Sequence, residues 1–183
     1  KGTIYGGNKS AEGNTLNVRG AITAGQIANF EHLNFAVNKD TAGKTLLTIG
    51  GGAKTTGLDW KKLTAQVTAT DLQTKSYAAT RVTLMKNAAG LDFGATYDKA
   101  KEIVADDVYE FSVDRASDGK SVYADGYRFK DNKTASYAAT DGSHTEAWGG
   151  RSELGKTAEG NVLTVTGGTI TDTAYGGTSR KGA

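Results

Sequence analysis

The sequence predicts an all-β chain whose short strands stack into a solenoid, and three observations point there. An eight-residue pattern occurs three times, as Gly13–Gly20 (GNTLNVRG), Gly43–Gly50 (GKTLLTIG) and Gly160–Gly167 (GNVLTVTG). A short strand between glycines cannot bury its apolar side alone, but it can when copies of it are stacked. The 183 residues include 25 Gly and no Pro, and the apolar share is 37%. That balance suits strands joined by Gly, Asn and Asp turns, and a continuous ladder disfavours a residue without an amide donor. Alternation at period two marks further strands between the octamers.

Residues 1–52 are expected to form repeat-like rungs. Ile4-Tyr-Gly-Gly7 leads into the first octamer, and Ile22-Thr23 follows it. In Ala28–Val37, Phe30, His32, Asn34 and Ala36 share one side. Leu33, Phe35 and Val37 do not alternate cleanly with them, which calls for a one-residue bulge or burial on both faces. Residues 53–141 lack the octamer and are expected to be an irregular β region. Leu63–Thr70 and Arg81–Met85 alternate, and Val108–Val113 and Val122–Phe129 read as two strands around an Asp118-Gly119 turn. Asp98–Val104 is the only stretch with helical character. Ser76–Thr80 (SYAAT) recurs unchanged as Ser136–Thr140. It carries less weight than the octamers, because such identities arise readily in Ala/Thr-rich sequence.

Residues 142–183 return to the rung style of the opening. Trp148-Gly-Gly150 and Tyr175-Gly-Gly177 match Tyr5-Gly-Gly7 and bracket the third octamer. Each reads as an aromatic anchor followed by a tight corner. The whole is expected to be a single solenoid fragment of a larger protein, since it begins at Lys1 without an initiator Met or a signal-peptide apolar stretch.

Several of these phrases together resemble the passenger domains of bacterial autotransporters, especially large adhesin-type passengers. Ile4-Tyr-Gly-Gly7, Gly13–Val18, Val82–Met85 and Gly160–Gly168 are shared with Gly/Asn/Thr-rich β-solenoids in general; Asn29-Phe-Glu-His-Leu-Asn-Phe35 is the most particular. The resemblance covers about half the chain and is clearest at residues 1–52 and 142–183. It implies a right-handed parallel β-helix, a bacterial cell-surface or extracellular location, and adhesion or display as the role. It also implies a membrane anchor elsewhere in the full protein. The middle departs from the pattern, and its hairpin would place an antiparallel insertion in a parallel coil.

Chemistry-bearing motifs are weak by comparison. There are no cysteines, which excludes disulfides and thiol chemistry. A net charge of +2 from 22 basic and 20 acidic residues, with no basic run beyond Lys61-Lys62 or Arg180-Lys181, gives no footprint for nucleic acid. No apolar run spans a membrane. Gly150–Thr157 has the spacing of a phosphate-binding loop, yet Ala158–Val165 after it is strand sequence where that chemistry needs a helix. His32 and His144 are too far apart in sequence to suggest a metal pair. Asp106, Asp107, Asp118, Asp125, Asp131 and Asp141 cluster in the second half, and Asp118, Asp125, Asp131 and Asp141 read as turn-formers beside Gly or Asn. No catalytic residue, metal or cofactor is therefore assigned.

The candidate contact surface is aromatic: Tyr97, Tyr109, Tyr123, Tyr127 and Tyr137, with Trp60, in the part that does not repeat. The expected role is a non-enzymatic surface segment whose partner is a host-cell or bacterial surface protein or glycan. A carbohydrate-active β-helix enzyme and a compact antiparallel domain that binds protein or glycan are the alternatives.

Overall fold

A computed structural model describes residues 1–8, 12–67, 75–104, 107–130 and 134–180. Asp106, Asp131, Lys181 and residues 68–70 of the expected strand Leu63–Thr70 lie outside them. The chain is an all-β solenoid of about six turns built on stacked parallel strands. In chain order the strands are β1 (Thr3–Tyr5), β2 (Thr15–Val18), β3 (Ile22–Ala24), β4 (Gln26–Ala28), β5 (His32–Val37), β6 (Thr45–Ile49), β7 (Leu63–Val67) and β8 (Thr80–Asn87). They continue with β9 (Lys101–Val104), β10 (Tyr109–Arg115), β11 (Ser121–Arg128), β12 (Thr134–Tyr137), β13 (Ser143–Ser152), β14 (Val162–Val165) and β15 (Thr169–Ser179). Among the described residues the only helical segments are three-residue 3-10 turns, and Asp98–Val104, expected to have helical character, ends in β9. Lys101 and Ile103 alternate with their neighbours as readily at period two as at a helical period, and sheet pairing decides such short segments. No helix among the described residues is long and apolar enough to cross a membrane.

The chain divides into two compact units, one of residues 1–72, 81–101 and 112–124, the other of residues 73–80, 102–111 and 125–183. In the first, three parallel ladders rise side by side. Leu16, Leu33 and Leu63 stack through β2, β5 and β7. Ile22, Leu47 and Met85 stack through β3, β6 and β8. Thr3 stacks on Gln26 through β1 and β4, and Thr55 bridges Leu91. Parallel pairing thus runs on past residue 52 as far as Leu91.

Side chains reinforce the ladders. Asn34 donates to Asn17 (3.2 Å) and accepts from the Thr64 hydroxyl. Gln26 accepts from Thr55 (2.7 Å), which accepts from Asn87 (2.9 Å). Thr55 and Asn87 are buried, so each polar group is satisfied by the next coil.

Three expectations about the repeats change. The first two octamers do not stack on each other. β2 of the first pairs with β5, whereas β6 of the second pairs with β3 and β8. What lies on the first octamer is His32–Val37, where Leu33, Phe35 and Val37 alternate cleanly with His32, Asn34 and Ala36, so no bulge is needed there. The Ser-Tyr-Ala-Ala-Thr copies, by contrast, do meet: the Ser76 hydroxyl donates to the Ser136 carbonyl (3.0 Å), and the Tyr77 and Tyr137 rings pack edge to face at 5.9 Å.

The third change concerns the aromatic-Gly-Gly phrases. In the second unit β13 and β15 pair in parallel with Trp148 on Tyr175 and Gly150 on Gly177. The glycines sit inside strands, with no corner, because another chain segment passes close by. A Cβ on Gly149 would lie 2.4 Å from the Gly176 carbonyl, and one on Gly177 the same distance from the Ala158 carbonyl. We expect Gly149→Ala to push β13 off β15 and lower stability by about 1–3 kcal/mol, measured by urea denaturation.

β10 and β11 form the antiparallel hairpin expected in the middle. Ala116 donates to the Ser121 carbonyl (2.9 Å), and Phe129 to the Val108 carbonyl (2.9 Å). A five-residue connection between neighbouring strands permits no parallel crossover. This register sets Asp114 opposite Tyr123 and Glu110 opposite Tyr127, all on the outer face. Asp125-Gly126, read as a turn, lies within β11. Gly126 is there because a Cβ would strike the Phe111 ring at 2.3 Å.

Candidate functional site

The five tyrosines do not form one surface. Tyr109 and Tyr137 are core residues, 3% and 0% exposed, and the Tyr137 hydroxyl donates to the Thr169 carbonyl (2.8 Å). Tyr127 is half-buried in the second unit, 6.4 Å from Trp148. Tyr97 and Tyr123, both half-buried, come together in the first unit around Asp114. The Tyr97 hydroxyl donates to Asp114 (2.7 Å), and Tyr123 lies opposite Asp114 in the hairpin. Arginines cover both rings: Arg115 at 4.1 Å from Tyr97 and Arg81 at 3.8 Å from Tyr123. Trp60 sits behind, edge-on to Tyr97 at 4.9 Å, and is core.

This face is suited to binding. Guanidinium groups close over phenol rings make cation–π contacts, and rings with a polar rim offer both stacking and hydrogen bonds. The hydrogen bond to Asp114 holds the Tyr97 phenol above the ordinary tyrosine range, with burial adding to the effect. Asp114→Asn should bring that ionisation down in pH, read as earlier tyrosinate absorbance in an alkaline titration.

The first unit also holds an open cleft of about 440 Å³ whose wall includes Gln26, Asn29, Glu31, Lys54, Asp59 and Lys62. Asn29 has a left-handed backbone (φ 59°), the only such non-glycine among the described residues. The Glu31 carboxylate accepts the Asn14 amide (2.7 Å), and that bond, helped by the Lys62 charge, holds it below the ordinary glutamate range. Such a carboxylate stays ionised at neutral pH and makes a poor proton donor.

The loop with phosphate-binding spacing does hold an anion, but one supplied by the protein. Gly150, Arg151 and Ser152 are the end of β13, and no helix follows; the next element is β14. The Ser152 hydroxyl (2.8 Å) and the Glu153 and Leu154 amides (the latter 3.3 Å) all donate to the Glu110 carboxylate, which is 1% exposed. Burial pushes this carboxyl up from the ordinary range, against those hydrogen bonds. Beside it, Arg151 lies 4.3 Å over the Trp148 ring and pairs with Glu146 (3.0 Å) and Glu153. No motif singled out Glu110. The signal was a lone carboxylate in the apolar run Val108–Val113, whose alternation puts it on the outer face where only a covering segment could bury it.

His32 lies on β5 and His144 on β13, the latter stacked on Tyr77 at 3.9 Å with Nε2 2.8 Å from the Asp141 carbonyl. Asp118 accepts the Lys120 amide and Asp141 the Ala138 amide, so both shape turns. Asp107 is exposed. Among the described residues no group of three or more His, Asp or Glu side chains is placed to hold a metal ion. Compared with protein-family models, with curated proteins and with solved structures, the chain matches none.

Proposed function

We propose that this chain is a non-catalytic β-helical segment of a bacterial surface protein, a stacked scaffold for adhesion or display. The observation that carries the reading is the set of parallel ladders in the first unit, with leucines at the same register through β2, β5 and β7. Backbone pairing of this kind adds about 4.8 Å per coil, so coil number translates into reach. The resemblance of Ile4–Gly7, Asn29–Phe35 and Gly160–Gly168 to adhesin passengers supports the same role. The contact surface is the Tyr97–Tyr123 face with Arg81 and Arg115, and its partner a surface protein or glycan.

The test is binding of the chain to host-cell surfaces and to an array of glycans. Tyr97→Ala/Tyr123→Ala should lose at least about tenfold in affinity, since each buried ring contact contributes roughly 1 kcal/mol or more. Unchanged binding by that variant would remove the face from the reading. The cleft beside Glu31 makes a carbohydrate-active enzyme the second reading. Release of new reducing ends from polysaccharide, abolished by Glu31→Gln, would replace the scaffold with that enzyme.

A further inference from the structure

The cleft of the first unit lies between two successive coils and shares no residue with the Tyr97–Tyr123 face. One wall is the corner from β4 into β5, from Gln26 to Glu31. The other runs from Lys54 to Lys62, at the end of the 3-10 turn that precedes β7. Its volume of about 440 Å³ falls within the roughly 300–1,000 Å³ of small-molecule sites.

The corner has a shape of its own. Neighbouring side chains of a strand point to opposite faces, yet Asn29, Phe30 and Glu31 are consecutive and all line the cleft. The left-handed step at Asn29 (φ 59°) breaks the alternation. A non-glycine residue in that conformation is strained, and two hydrogen bonds hold it. The Asn29 side-chain amide donates to the Gly7 carbonyl (2.7 Å), and the Gly6 amide donates to the Ala28 carbonyl (3.0 Å). Gly6 permits this close approach, since a Cβ there would lie 2.2 Å from the Asn29 carbonyl and 2.7 Å from the Phe30 ring. On the opposite wall Leu58 and Trp60 are buried, which leaves the half-buried Asp59 between them to face outward. Trp60 anchors the turn that carries Lys62.

The groups on these walls set the chemistry of what fits. Glu31 accepts the Asn14 amide (2.7 Å) and Asp59 the Lys61 amide (2.9 Å). A carboxylate offers about four acceptor sites, so both keep capacity for a ligand. Lys54 is engaged by Asp92 (3.1 Å), while the Lys62 charge acts on Glu31. Two carboxylates on the wall thus face two ammonium groups, one of which Asp92 already neutralises, and an anion gains no net attraction. The half-buried Phe30 adds an apolar ring. Charged acceptors and a charged donor beside an aromatic ring suit a molecule with many hydroxyls and one C–H face, since hydrogen bonds to ionised groups are the strong ones.

We propose that this cleft binds one neutral sugar residue without cleaving it, the Phe30 ring packing on the sugar's C–H face, Glu31 and Asp59 accepting its hydroxyls and Lys62 donating to its oxygens. It is a saccharide site in addition to the Tyr97–Tyr123 face and stands whether or not that face binds. The sugar is either a free monosaccharide or the end of a longer glycan, since both present the same hydroxyls.

The test is titration of the 15N-labelled 183-residue chain with glucose, galactose, mannose and N-acetylglucosamine, each free and at the end of a short oligosaccharide, followed by NMR. Amide shifts are expected at Ala28–Glu31 and Thr56–Lys62, with a dissociation constant on the order of 1 mM for a single sugar. Tighter binding of the oligosaccharide points to a glycan end, and equal binding to the free sugar. Glu31→Gln and Asp59→Asn keep the side-chain shape and an acceptor for the Asn14 and Lys61 amides, and Lys62→Ala removes an exposed side chain. Each should weaken binding about tenfold, the size of one charged hydrogen bond, with the rest of the spectrum unchanged. Lys44→Ala, exposed and outside the cleft wall, should bind as the wild type does. Four results overturn the proposal: no shift with any of these sugars, shifts confined to residues outside the cleft, glucuronate bound more tightly than glucose, or release of new reducing ends from the oligosaccharides.

Discussion

Trp60→Ala is expected to give the largest loss of stability in the first unit, about 3–5 kcal/mol. Trp60 is 1% exposed and starts a 3-10 turn capped by Asp59, whose carboxylate accepts the Lys61 amide. Its ring stands edge-on to Phe93 at 5.2 Å and to Tyr97 at 4.9 Å. The indole N–H donates to the Lys99 carbonyl and the backbone N–H to Thr96, both at 2.9 Å. Truncation therefore opens a cavity between two aromatic rings and leaves the Lys99 carbonyl, in a part-buried hydrogen bond, without its donor. It also takes away the cover over Lys101, whose ammonium lies 5.2 Å from the ring and donates to the Leu63 carbonyl (2.7 Å). Urea denaturation followed by circular dichroism measures the loss; a change below about 1 kcal/mol, the size of a surface substitution, would contradict this account. Trp60→Phe should recover much of the packing and none of the hydrogen bond to Lys99.

Glu110→Ala is expected to cost the second unit about 3 kcal/mol, because it leaves the Ser152 hydroxyl and the Glu153 and Leu154 amides without their acceptor. The loop Glu153–Gly155 should then loosen, seen as faster amide hydrogen exchange at Glu153 and Leu154. The pH dependence has a definite sign. Burial raises the folded-state pKa of Glu110 above its unfolded value, so the folded chain holds this proton more tightly than the unfolded one. The stabilising contribution is complete below the ordinary glutamate value of about 4.3 and is lost as pH rises through the raised pKa. Glu110→Gln cannot titrate, so the stability of wild type relative to this variant should fall as pH climbs through that window. A difference that stays flat, or rises with pH, would show that the three donors outweigh burial.

The candidate site was partly legible. Tyr97 and Tyr123 are 26 residues apart and share a face because the hairpin register sets Asp114 between them, which composition alone could not show. Tyr109 and Tyr137 have the same residue type in similar sequence, yet their strands turn them inward. The loop at Gly150–Thr157 had the right shape for an anion and the wrong element after it. Which anion fills it depends on a hairpin some 40 residues earlier, beyond the reach of any local pattern.

By itself the sequence determined that the chain is all-β and where most of its strands run. Alternation and glycine punctuation are local properties, set by which side chains can face a core from a pleated strand. Only the tertiary structure decided which strand lies on which. The first two octamers are nearly interchangeable as strands, and nothing in eight residues distinguishes a partner one coil away from one on another face. Coil length makes that choice, and it varies: 23 residues separate Thr3 from Gln26, and 36 separate Thr55 from Leu91. The loops absorb those differences, so pairing is settled when the whole coil closes around its apolar ladder.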